Sequence, residues 1–237
     1  MFPHICPYIP VMKRYIPLLA LLLASLLYSQ SKMDINNLID RGGLKYAPND
    51  DEPYKGKVFD FYENGQKKLD GNYRKGLMNG KWTYYHENGQ IHGQGRFIDG
   101  DGNNPSESSG IPFNGRTGRW TFWYDNGQKK SEETYKDGDL RKETWWYENG
   151  QKGSEGTYKD GERDGKWTYW HENGQKDYEQ IYKDGERWDG LFWSYEGGQK
   201  REELTFKDGE LISAKCWDWN GNEEDCDELN SADRVGE

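Results

Sequence analysis

A tetrapeptide of the form acid-Asn-Gly-Gln returns along this chain at Glu63–Gln66, Glu87–Gln90, Asp125–Gln128, Glu148–Gln151 and Glu172–Gln175. It returns again as Glu196-Gly197-Gly198-Gln199 and, worn, as Trp219–Asn222. The first residues of successive copies are 24, 38, 23, 24, 24 and 23 positions apart. Removing one period of 24 from the 38 leaves 14 residues, and the Gly/Ser/Asn/Pro-rich stretch near 99–113 supplies them as an insertion, expected to be flexible. A fixed period of this size confines the fold to a tandem repeat, in which each unit leans on its neighbours rather than on a common centre.

Each unit reads as a hairpin. Asn-Gly at the tip supplies the positive φ that a two-residue turn, or a turn with a glycine bulge, requires. The strand before the tip is aromatic or β-branched, as in Trp82-Thr83-Tyr84-Tyr85-His86, Trp120-Thr121-Phe122-Trp123-Tyr124 and Trp167-Thr168-Tyr169-Trp170-His171. The strand after it is more polar but carries one ring seven residues beyond the Gln: Tyr73, Phe97, Tyr135, Tyr158, Tyr182 and Phe206. A second turn follows at Asp137-Gly138, Asp160-Gly161, Asp184-Gly185 and Asp208-Gly209, with Ile98-Asp99-Gly100 as a fifth copy. Two turns per unit predict an all-β fold, an elongated antiparallel β-meander of about seven tandem hairpins in a single-layer sheet. At roughly 10 Å per unit it would run on the order of 65 Å, with the fixed rings stacked as a structural ladder in place of a thick core.

Composition agrees. Aliphatic residues are few beyond the first thirty, yet aromatics reach 15%, which argues against disorder. A formal charge of -10 without any cluster of basic residues excludes a phosphate-backbone reader, so no nucleic acid is expected as partner. Paired bases such as Lys67-Lys68 and Lys129-Lys130 are each answered by nearby acids, which reads as a solvated mixed-charge surface.

From Met12 the chain shows a basic start (Lys13, Arg14), an apolar run from Ile16 to Leu27, then small polar residues. That is the order of an export signal. Residues 1–31 are expected to be that signal, with translation starting at Met12 and cleavage near Ser29 or Ser31. A periplasmic, cell-surface or secreted location follows, with membrane contact only through the signal. Residues 32–53 then form a lead-in segment, 54–222 the repeats and 223–237 an acidic tail. Cys6 would leave with the signal. The remaining Cys216 and Cys226 flank Asn220-Gly221 and are candidates for a disulfide across a hairpin turn.

The blocks GKWTYYHENGQ (Gly80–Gln90), GRWTFWYDNGQ (Gly118–Gln128) and GKWTYWHENGQ (Gly165–Gln175), with their trailing Tyr-Lys-Asp-Gly, resemble the bacterial variant of the MORN repeat. Leu38–Gln66 is similar to the corresponding segment of YwqK-type antitoxins of toxin–antitoxin systems. The resemblance implies a repeat fold that binds other macromolecules. Its antitoxin branch implies a protein partner, a toxin, neutralised by direct contact. Behind an export signal, such a protein would suit immunity in the periplasm or at the surface. The fourth unit departs from the pattern by placing Glu143 where its neighbours have Trp, which predicts a gap in the ladder.

No nucleophile–base set or convergent acid pair emerges, so no catalytic residue, metal or cofactor is expected and the chain reads as non-enzymatic. His86 and His171 share a column with Tyr62, Tyr124, Tyr147 and Tyr195, and read as flat rings tolerated on the sheet. Asp99–Asn103 resembles the start of a calcium loop but has Gly110 where the twelfth-position acid belongs. The column Tyr85, Trp123, Trp146 and Trp170 on the leading strands is the expected contact surface for a protein partner. The alternative is a cell-envelope ligand, a glycan or choline-type amine, held in cages of these rings.

Overall fold

The computed structural model describes residues 32–196, 199–207 and 210–226. The export stretch, the Gly197-Gly198 and Asp208-Gly209 turns and most of the acidic tail lie outside the described residues. Three short strands lead in: β1 (Met33–Asp34), β2 (Ile39–Arg41) and β3 (Leu44–Tyr46). Seven hairpins follow. They are β4 (Gly56–Phe61) with β5 (Lys67–Arg74), β6 (Leu77–Tyr85) with β7 (Ile91–Gly100), and β8 (Arg116–Trp123) with β9 (Lys129–Lys136). Then come β10 (Asp139–Trp146) with β11 (Lys152–Lys159) and β12 (Glu162–Trp170) with β13 (Lys176–Lys183). The last are β14 (Glu186–Glu196) with β15 (Gln199–Lys207) and β16 (Glu210–Trp217) with β17 (Glu223–Glu224). Strands β4 to β17 pair antiparallel in chain order within one 15-stranded sheet. Strand β1 closes the leading edge by pairing parallel to β4.

The two turn types are chemically distinct. At the Asn-Gly tip, the Tyr62 N–H donates to Gln66 O (2.8 Å) and the Gly65 N–H to Tyr62 O (2.9 Å), with Gly65 at φ +81°. Only the glycine has positive φ, so this is the glycine-bulge form. Asn64 instead locks the turn, accepting from the Gln66 N–H at 2.9 Å, and its amide donates onward to Glu87 O of the next unit at 2.9 Å. Asn88, Asn126 and Asn149 repeat both bonds. The worn copy folds the same way, with Asp218 N–H to Asn222 O at 2.8 Å.

On the opposite rim, Asp137 and Gly138 sit at φ +55° and +90°. These values make a two-residue I′ turn, repeated at Lys75-Gly76, Asp160-Gly161 and Asp184-Gly185. This rim is bridged between units by exposed ion pairs, Arg74–Asp99 at 3.3 Å and Lys159–Asp184 at 3.2 Å. The fifth copy departs from expectation. Asp99 has φ +50°, but β7 runs on to pair Gly100 with Met78, and residues 101–115 replace the tight turn.

On one face, Trp82, Trp120 and Trp167 are buried to 1% exposure or less. Each lies flat on a glycine of the preceding strand, Gly71, Gly95 and Gly156, where an added Cβ would fall 2.1–2.2 Å from the indole. Each indole N–H is satisfied by a backbone carbonyl, those of Asn72 (3.2 Å), Arg96 (3.1 Å) and Thr157 (3.1 Å). The fixed rings therefore do not stack on one another. They alternate with the tryptophans edge to face: Tyr73–Trp82–Phe97–Trp120 at 5.4, 6.0 and 4.9 Å, and Tyr158–Trp167–Tyr182 at 5.1 and 6.4 Å.

Over the first units this ring face is covered, so the sheet there is not a bare single layer. Met33, Ile35 and Leu38 of the lead-in pack onto the core around Val58, Leu69 and Trp82. The insertion was expected to be flexible, and the structure corrects this. Ile111 is 1% exposed, with its Cδ1 lying where a Cβ on Gly93 would be. Arg116 clamps the loop by donating to Pro112 O and Ile111 O, both at 2.9 Å. A single aliphatic anchor among Gly and Ser residues is enough, because it meets a glycine gap in the sheet.

Candidate functional site

On the face opposite the tryptophans, each expected contact ring is set by its strand at the position before the tip. Tyr85, Trp146 and Trp170 are partly exposed, and each carries a lysine ammonium from the preceding unit over its ring. These are Lys67 at 5.6 Å, Lys129 at 4.7 Å and Lys152 at 5.0 Å from the ring centroid. Every such lysine also pairs with a carboxylate three residues on: Lys67–Asp70 (3.0 Å), Lys129–Glu132 (3.2 Å) and Lys152–Glu155 (3.0 Å). The pattern continues with Lys176 over Tyr195 and Lys200 over Trp217, both at 5.1 Å. Strict alternation would put residues three apart on opposite faces, but a register shift skips one residue after each lysine, so Lys-x-x-acid and this aromatic meet on one face and build one triad per unit. The spacing is present in the sequence but reads there as a solvated charge mixture.

Trp123 breaks the row. Its unit predecessor has Ile91 and Gln94 where the other units have lysine and acid, and no cation lies over Trp123 among the described residues. Ile91 is itself 36% exposed.

Tyr195 also departs from expectation. Counting residues puts it in the histidine column, yet its hydroxyl donates to Glu179 at 3.1 Å under Lys176, the place of Trp170 in its own unit. The register shift that falls between Tyr84 and Tyr85, Phe122 and Trp123, and Trp145 and Trp146 comes one residue nearer the tip here, between Ser194 and Tyr195, and causes the change. The true members of the histidine column stitch units together. Tyr62, Tyr124 and Tyr147 donate to the carbonyls of Tyr85, Trp146 and Trp170 at 2.7–2.9 Å, and the His86 Nε2 lies 2.9 Å from Trp123 O. His171 instead lies 3.3 Å from Asp177.

The ladder break at Glu143 is filled with charge. Glu143 stands directly across from Glu133 on β9. Arg116, 1% exposed, donates to Glu133 at 3.1 Å and to the Tyr135 hydroxyl at 2.9 Å. Tyr135 donates to Glu133 at 2.7 Å and Tyr158 to Glu143 at 2.8 Å. Burial lifts the Glu133 carboxyl above its ordinary range, and the facing Glu143 adds to this against the pull of Tyr135 and Arg116. Burial likewise raises both phenols, so they remain hydrogen-bond donors at neutral pH. These groups line a small cavity of about 210 Å³ beside the insertion. The expected ladder thus divides, with Tyr73, Phe97 and Tyr135 buried and Tyr158, Tyr182 and Phe206 partly open.

Cys216 and Cys226 are joined as a disulfide with Cα atoms 5.4 Å apart. Among the described residues no group of three or more His, Cys, Asp or Glu side chains is placed to hold a metal.

The family described as the MORN repeat variant matches the chain over residues 78–99, 116–137, 142–160 and 163–184. Each matched segment is one hairpin, from β6–β7 through β12–β13. The hairpin β4–β5 outside them has the same tip geometry. Among curated proteins, none matches the chain.

Proposed function

We propose that the chain is a non-catalytic, exported interaction module that holds a protein partner against the face bearing Tyr85, Trp123, Trp146 and Trp170. In its specific form it acts as an antitoxin or immunity protein that neutralises a toxin by contact. The observation that carries the reading is Trp123, left uncapped among the four rings Tyr85, Trp123, Trp146 and Trp170, with exposed Ile91 standing at the lysine position. An uncapped indole ringed by tethered charges has the composition of an interface hot spot inside a polar rim. Similarity to MORN repeats supports an interaction role. The signal order of residues 12–31 and the Cys216–Cys226 disulfide support an oxidising compartment outside the cytosol. The choline-type alternative is disfavoured, because the chain's own lysines occupy the ammonium seats over the neighbouring rings.

The experiment is capture from the envelope fraction of the producing cell with wild type, Trp123→Ala and the Ile91→Lys/Gln94→Glu pair. The pair rebuilds the lysine cap of the other units. All three should melt within about 2 °C of one another, and both variants should lose the partner by tenfold or more. Undiminished capture by both variants refutes the reading.

A further inference from the structure

The face that bears Trp123 also gathers charge. Val58, Trp82 and Trp120 are buried in the ring face, so the residues just before them, Lys57, Lys81 and Arg119, point to the opposite face. Lys142 holds the same place in the unit of Glu143. The four bases stand on β4, β6, β8 and β10, two strands apart in the sheet, so they follow one another at roughly 10 Å and span about 30 Å. Arg96 joins them from β7, directly across from Lys81. In the sequence these bases belong to separate units, and the fold sets them in one row.

The row is short of counter-charge. Lys57, Lys81, Arg96 and Lys142 are exposed, and none of them forms an ion pair among the described residues. Arg119 reaches Glu132 only at 3.6 Å, with its side chain 70% exposed. The acids of this face are already engaged, Asp70, Glu132 and Glu155 each by the lysine of its own triad. Like charges directly opposite destabilise a sheet, so the Lys81–Arg96 pair is held at a cost until an anion lies over it. The row closes at Lys166, whose ammonium is 2.9 Å from Glu179. A chain of net charge -10 thus carries a local excess of bases on one face.

The row is continuous with the uncapped indole. Arg119 and Trp123 lie four residues apart on β8, about 13 Å along the strand and on the same face. A shallow groove of about 590 Å³ connects the two, with Lys57, Lys81, Tyr85, Ile91 and Gln94 in its lining. An apolar anchor flanked by unpaired bases complements a protein surface that offers an apolar side chain and a line of carboxylates. A surface of phosphates alone has nothing to set against Trp123 and Ile91.

We propose that the partner is acidic where it meets this face: a protein segment whose carboxylates lie along Lys57, Lys81, Arg96, Arg119 and Lys142 while an apolar residue sits on Trp123. This rests on the reading of the face as a protein-docking surface and adds the chemistry of what docks.

The test is calorimetric titration of the full chain with an oligoglutamate peptide long enough to span the row, at low and at physiological salt. The peptide should bind in spite of the overall negative charge, and more weakly as salt rises. Lys81→Gln/Arg96→Gln should weaken binding about tenfold, with melting unchanged or raised because the like-charge pair is gone. Lys75→Gln/Lys130→Gln removes the same charge away from the row and should leave binding within about twofold. Trp123→Ala should leave it too, since the peptide has no apolar residue, so the acidic assignment is judged apart from the indole anchor. No binding of the peptide, binding that Lys81→Gln/Arg96→Gln leaves unchanged, or equal losses in both double variants overturns the proposal. Phosphatidylglycerol vesicles held more tightly than the peptide through the same two residues would assign the row to a membrane and overturn it as well.

Discussion

The indole of Trp120 lies flat on the α-carbon of Gly95, so closely that a Cβ on Gly95 would meet the indole Cδ2 at 2.1 Å. Trp120 cannot retreat, since its other side is taken by Phe97 at 4.9 Å and by the Arg116 guanidinium, also at 4.9 Å. Gly95→Ala should therefore destabilise by about 2–3 kcal/mol, as an overpacked core does. Gly156→Ala, against Trp167, should cost a similar amount. Urea midpoints measure both, and a change below about 0.5 kcal/mol at both sites would mean that the glycine seat is not required.

Tyr158 and Trp146 are rings of one hairpin with opposite jobs. Tyr158 packs edge-on to Trp167 at 5.1 Å and bonds Glu143, so Tyr158→Ala should cost about 3 kcal/mol. Trp146 is partly exposed beneath Lys129, and its loss forfeits a surface cation–π contact of about 0.5–1 kcal/mol plus some packing. Side-by-side melting curves decide. A larger loss for Trp146→Ala would reverse the division of rings into ladder and contact surface.

Glu179 should give the protein an acid-sensitive step. Burial works to raise its carboxyl, but hydrogen bonds from Lys166, Lys176 and Thr168 outweigh it and bring the pKa from 4.5 to about 2. The folded pKa lies below the unfolded one. Its stabilisation is therefore present above about pH 4.5 and fades as pH falls toward 2, amounting to about 1–2 kcal/mol after solvent screening. Wild type and Glu179→Gln should differ by this much in urea at pH 7 and converge near pH 2. A gap that stays constant across that range would contradict the assignment.

Gly102 in the insertion sits at φ +78° with its Cβ position 3.6 Å from the Met78 sulfur. In a flexible loop Gly102→Val would be silent. In this packed one it should cost about 1 kcal/mol or more, comparable to Gly174→Val at a repeat tip, where φ is +82°. Equal thermal shifts for the two variants are the expected outcome.

Cys226→Ser opens a loop of separation 10 at the end of the sheet. Because repeat units are stabilised mainly by nearest neighbours, amide exchange should accelerate in β15 to β17 and stay unchanged in β5 to β8. Acceleration throughout would show that the sheet melts as one unit.

The period, both turns and the fixed ring column were legible in the sequence because each is a local rule repeated. The glycine seats were legible too, had the residue two before the fixed ring been compared with the tryptophan that follows, as at Gly71 and Trp82. What could not be counted out were the places where register, not spacing, decides. Tyr195 changes columns because its hairpin's bulge falls one residue later than in the others, and Asp99-Gly100 stops being a turn because the insertion continues from it. The cover over Trp82 was hidden for another reason. It depends on Met33, Ile35 and Leu38 in the lead-in and on Ile111 in the insertion finding partners far away in the chain.

The rims of the sheet differ in what joins one unit to the next. Along the tip rim the links are amide bonds from Asn64, Asn88, Asn126 and Asn149 to backbone carbonyls. The other rim relies on exposed pairs such as Lys159–Asp184. Dissolved salt weakens exposed ion pairs and leaves neutral amide bonds nearly untouched. Raising the ionic strength thus slackens one margin of the ribbon and not the other, so the spacing of any surface presented across several units becomes a function of the surrounding medium.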